Sequence, residues 1–102
     1  MGSLFYGGEY EIEIDDRALA HLQIAVLSKL RRGEACSFTW SLGKQAGSGR
    51  ESVWLHEGVA LRFRYDSAQA ISLNPEWIAA LTATGHRGDI QLLEEPVPAG
   101  SA

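Results

Sequence analysis

The chain has 102 residues, 45% of them apolar and 22% charged, with a formal net charge of −4. That size and mixture fit one soluble domain with its own core and exclude a chain too polar to fold. The negative balance disfavours nucleic acid and anionic membranes as partners, and a single cysteine, Cys36, excludes an internal disulfide.

The opening MGSLFYGG has no basic start followed by an apolar run, so it does not read as a signal peptide. No apolar run approaches a membrane span, and the expected location is the cytoplasm. Gly7-Gly8 separates two strand-like runs and reads as a hairpin turn. In the second run Tyr10, Ile12 and Ile14 alternate with Glu9, Glu11 and Glu13, which predicts a half-buried strand with one acidic face.

Asp15–Gly33 is the longest periodic stretch and reads as the central helix. Asp16 is the expected cap, with Asp15 adding charge at the positive end of the dipole. Leu19, Leu22, Val26 and Leu30 form one apolar seam, and Gly33 is the left-handed stop. A second stripe, Ala20, Ile24 and Leu27, lies beside the seam. Either the second helix covers it, or it is a surface for self-association or a protein partner.

Cys36, Phe38, Trp40 and Leu42 then alternate with Ser37, Thr39 and Ser41, predicting a strand with a hydroxyl-lined outer face. Gly43–Arg50 reads as a flexible loop and Glu51–His56 as the next strand. Glu57-Gly58 turns the chain into a run with Val59, Leu61, Phe63 and Tyr65 inward and Arg62 and Arg64 outward, giving an antiparallel meander. Asn74-Pro75 starts a second helix that ends at Gly85, and Asp89–Glu94 reads as the last strand. The order ββαβββαβ predicts an α+β two-layer sandwich, one mostly antiparallel sheet with both helices on one face. The domain is expected over residues 1–94, with a disordered tail over 95–102.

No catalytic constellation emerges. The loop GKQAGSGR lacks the Lys-Ser/Thr pair and the following helix of a phosphate loop. Ala46 stands where a nucleophile elbow needs glycine. His21, His56 and His86 are not at metal-ligand spacing, and His21 is expected to be solvated on the polar side of its helix. No metal or cofactor is therefore expected. Trp54 shares a strand face with Ser52 and His56, and a Trp on a polar face is a candidate partner anchor.

Taken together, MGSLFYGG, EIEIDDRALAHLQIAVLSKLRRGE, SFTWS, SVWLHEGVALRFRY, NPEWIAAL and GDIQLLEEP resemble short single-domain actinobacterial proteins of unknown function. Members of that group are often labelled ATP-dependent DNA ligase. The label implies a nucleotide- or nucleic-acid-binding protein; independently of it, nucleic-acid binding would use Arg31, Arg32, Lys44, Arg50, Arg62 and Arg64 as a basic face, with Lys44, Arg50, Arg62 and Arg64 as candidate phosphate contacts. Ligases of that kind form a lysyl–AMP adduct at K-x-D-G. Here Lys44-Gln45-Ala46-Gly47 carries alanine in place of the aspartate, so no catalytic residue transfers. The leading expectation is a small binding protein without catalytic activity. It works through Ala20, Ile24, Leu27 and Trp54 on a protein partner or a second copy of itself; nucleic acid is the alternative.

Overall fold

The computed structural model describes residues 1–41 and 49–96. The elements are β1 (Gly2–Tyr6), β2 (Tyr10–Ile14), α1 (Asp16–Arg31), β3 (Cys36–Ser41), β4 (Arg50–Leu55), β5 (Leu61–Arg64), α2 (Pro75–Gly85) and β6 (Asp89–Gln91). The α+β class and the order ββαβββαβ hold. The strands, however, divide into two three-stranded sheets, β2-β1-β5 and β4-β3-β6.

The expected meander breaks after β4. Strand β5 leaves it and pairs antiparallel with β1, setting Phe63 opposite Leu4 and Arg62 opposite Phe5. Alternation fixes which face of a strand is buried but does not name its neighbour. The Arg62 guanidinium then lies 4.4 Å over the Phe5 ring. Glu11 and Glu13 on β2 are separated from Arg62 and Arg64 on β5 by β1. Among the described residues no ion pair joins these acids to these arginines, and Glu11 instead accepts the Ser3 hydroxyl.

One core serves both sheets. Leu4, Ile12 and Ile14 from the first sheet meet Cys36, Phe38, Leu55 and Ile90 from the second, with Leu19, Leu22 and Val26 of α1 completing the cluster. Three residues of the predicted seam are thus buried, and the fourth, Leu30, packs against them half-buried. The cap of α1 falls one residue earlier than expected: the Asp15 carboxylate accepts the N–H groups of Arg17 and Ala18. Asp16 instead accepts the N–H groups of Asp66 and Ser67 and ties down the segment after β5. The helix stops at Gly33 with φ +73, where the Gly33 N–H reaches the Leu30 carbonyl and the Glu34 N–H reaches that of Lys29. Those two bonds are a Schellman ending, which needs a left-handed residue at this position.

Helix α2 is capped by Asn74, whose side chain accepts the Glu76 N–H at 3.0 Å, with Pro75 following as expected. It packs Trp77 and Leu81 on Ala25 of α1. Its last residue, Gly85, lies so close to β6 that an added Cβ would sit 2.9 Å from Cγ1 of Ile90.

His21 is a correction. It is fully buried, its ring centroid 4.5 Å from that of Trp77. Nε2 accepts the Asn74 N–H at 2.7 Å, so the ring proton is on Nδ1, which donates to the Arg17 carbonyl at 2.7 Å. The side of α1 read as polar is covered by α2 and its cap. Glu95, expected in a disordered tail, is also held: Arg17 donates to both its carboxylate oxygens, at 2.8 and 2.7 Å. The rest of that expected tail, residues 97–102, lies outside the described residues.

Candidate functional site

The outer face of the β4-β3-β6 sheet carries the best-organised polar surface. In β3 the inward Cys36, Phe38 and Trp40 are buried, which turns Ser37, Thr39 and Ser41 outward. The antiparallel register with β4 sets Trp54 beside Ser37, Ser52 beside Thr39 and Arg50 beside Ser41. On the other side the parallel register with β6 sets Asp89 beside Ser37 and Gln91 beside Thr39. The face is therefore an array: Trp54–Ser37–Asp89 in one row and Ser52–Thr39–Gln91 in the next.

Hydrogen bonds fix this array. Asp89 Oδ1 accepts the hydroxyls of Ser37 at 2.6 Å and Thr39 at 2.8 Å, while Oδ2 takes a longer bond of 3.4 Å from Gln91 Nε2. Ser52 and Thr39 share a bond of 2.6 Å. Burial pushes the Asp89 carboxyl up, but the bonds from Ser37, Thr39 and Gln91, with the Arg50 charge, outweigh it and hold it below the usual carboxylate range. Asp89 is thus an ordered anion at neutral pH. A concave space of about 530 Å³ opens over this region, lined by Ser37, Thr39, Ser52, Asp89, Gln91 and Arg50 among others. Trp54 stands on the same face with 56% of its surface exposed. Its carbonyl accepts the Tyr6 hydroxyl at 2.6 Å.

A family model, the domain of unknown function DUF7882, matches residues 1–95. The chain belongs to the DUF7882 family. No curated protein and no solved structure matches it. The matched span in this DUF7882 domain includes every residue of the array.

The other candidate residues scatter over the DUF7882 domain. Ile24 of α1 is 38% exposed, and Ala20 and Leu27 are half-buried. Helix α2 packs Trp77 and Leu81 on Ala25, the neighbour of Ile24 in the chain. Arg62 and Arg64 are exposed together on β5, whereas Arg50 belongs to the other sheet. Lys44 lies outside the described residues. Among the described residues no three His, Cys, Asp or Glu side chains are grouped to hold a metal ion. Also among them, no helix is long and apolar enough to cross a membrane. Cys36 is buried, and burial pushes its thiol up, which makes it a poor nucleophile.

Sequence reasoning found Trp54 and the hydroxyl row of β3 but missed Asp89 and Gln91. The available signal was the alternation in Asp89-Ile90-Gln91, which turns the two polar residues away from the core.

Proposed function

We propose that this DUF7882 domain is a binding module without catalytic activity, and that a protein partner docks on the outer β4-β3-β6 face with Trp54 as its anchor. The observation that carries this reading is a large aromatic, 56% exposed, beside a side-chain network held by its own hydrogen bonds. Exposed Trp side chains supply large contact area for little entropy loss, and pre-organised polar neighbours reduce the cost of binding.

The test is comparative capture with the full chain as bait. Trp54→Ala should lose the proteins that the wild type retains while its melting temperature stays within about 2 °C, since the replaced side chain is a surface one. Retention of the same proteins by Trp54→Ala would refute the reading.

A second reading, self-association through Ala20, Ile24 and Leu27, is favoured by the exposure of Ile24. Ile24→Lys should then leave the fold intact and reduce the mass in solution scattering. An unchanged mass removes it.

A further inference from the structure

What the outer β4-β3-β6 face lacks follows from counting its hydrogens. A hydroxyl has one hydrogen to give. Ser37 and Thr39 both give theirs to Asp89 Oδ1, with the Gly88 carbonyl a longer second acceptor for Ser37 at 3.3 Å. Thr39 has none left, so Ser52 is the donor across its 2.6 Å bond to Thr39. One Gln91 amide hydrogen goes to Oδ2. Two of the three hydroxyl hydrogens of the array thus go to the carboxylate and the third, that of Ser52, goes to Thr39. What remains for a ligand is chiefly lone pairs: Asp89 Oδ2, with its one long bond, and the oxygens of Ser37 and Ser52. Trp54 and Asp89 flank Ser37 in one cross-strand row, two strand spacings or roughly 10 Å apart.

An ordered anion, outward lone pairs and an electron-rich ring face together attract a flat cation with many donors. We propose that the face binds an arginine side chain of a partner protein, its guanidinium lying over Ser37 between the Trp54 indole and Asp89 Oδ2. This rests on the reading of the face as a docking surface and names the chemistry of its partner. A guanidinium stacks on indole and keeps N–H donors in its own plane for the carboxylate, whereas an ammonium is a compact, strongly hydrated point charge. The net charge of −4 complements a basic partner. Among the described residues the cation on this face is Arg50, which stands beside Ser41 in the register, four residues along β3 from Ser37. Its charge helps to hold the Asp89 carboxyl low, but among the described residues no ion pair joins the two, and Asp89 Oδ2 keeps lone pairs for a ligand.

The experiment titrates the ¹⁵N-labelled full chain with acetyl-Gly-Arg-Gly-amide and with the same peptide carrying lysine or citrulline, the neutral shape-mimic of arginine. The arginine peptide should shift the Trp54 indole N–H and the amides of Ser37, Thr39 and Gln91. Citrulline, Asp89→Asn and Trp54→Ala should each raise Kd at least tenfold, with circular dichroism unchanged. Trp54→Ala touches no bond of the Asp89 network and stands alone if Asp89→Asn does not fold. Equal binding of citrulline, or wild-type affinity in both variants, would overturn the inference, and equal binding of lysine would overturn the guanidinium assignment. If no peptide shifts the face but Trp54→Ala still loses its captured proteins, this inference fails and the docking surface stands. If Trp54→Ala loses none of them, both fail.

Discussion

Replacing His21 by alanine tests how the two helices are joined. The imidazole bridges them: Nδ1 donates to the Arg17 carbonyl in α1, and Nε2 accepts the N–H of Asn74 at the start of α2. Alanine leaves the Asn74 N–H without its acceptor, a loss of about 1–3 kcal/mol. It also removes the ring packed on Trp77 at 4.5 Å, worth about 0.5–1.5 kcal/mol more. The expected cost is about 2–4 kcal/mol. For a chain of this length each kcal/mol lowers the melting temperature by about 5 °C, so His21→Ala should melt roughly 10–20 °C lower. Urea denaturation followed by circular dichroism gives the same quantity, with His86→Ala as the control because His86 is exposed. A His21→Ala cost below about 0.5 kcal/mol, or an equal cost for His86→Ala, would refute the bridge.

Asn74→Ala should cost about 1 kcal/mol in denaturant, through loss of the bond its side chain accepts from the Glu76 N–H. Leu22→Ala, at a fully buried position, should cost about 2–5 kcal/mol by the same measurement. Gly85→Ala should cost about 1–3 kcal/mol, because its Cβ would sit 2.9 Å from Ile90. Arg17 first, then Asn74, holds the Glu95 carboxyl well below its ordinary value, at about 2. A depressed carboxylate contributes stability that is complete above its unfolded value of 4.5 and lost as pH falls through about 2. Glu95→Gln should therefore remove part of the acid destabilisation between those limits, and melting curves that keep the wild-type pH slope there would refute the clamp.

Local signals survived folding where the physics is local. Asn74-Pro75, Gly33 and the seam of Leu19, Leu22 and Val26 were legible because a cap, a left-handed stop and a 3.6-residue period are read within a few residues. The cap of α1 was off by one because Asp15 and Asp16 are both suitable acceptors. Only the tertiary bonds from Asp66 and Ser67 to Asp16 tell them apart. His21 was misread for the same reason. On a lone helix it faces the polar side, and its burial requires α2, whose backbone supplies the hydrogen-bond partner from 53 positions away. The pairing of β5 with β1 instead of β4 was equally silent, since both choices bury Leu61 and Phe63.

The candidate face depends on a long-range register in the same way. Ile90 is fully buried and stands opposite Phe38 in the parallel β3–β6 pair. A slip of one residue would turn Ile90 to solvent and press Asp89 and Gln91 into the core beside Phe38. Burying an unpaired carboxylate there would cost several kcal/mol, in addition to the lost burial of isoleucine. Core packing therefore selects the register. That register delivers Asp89 to the hydroxyls of Ser37 and Thr39, which have no apolar task of their own. The ordered anion on the surface is fixed by the apolar residue behind it, so Ile90→Asn should loosen β6 and disperse the Asp89 network even though the site contains neither side chain of the Phe38–Ile90 pair.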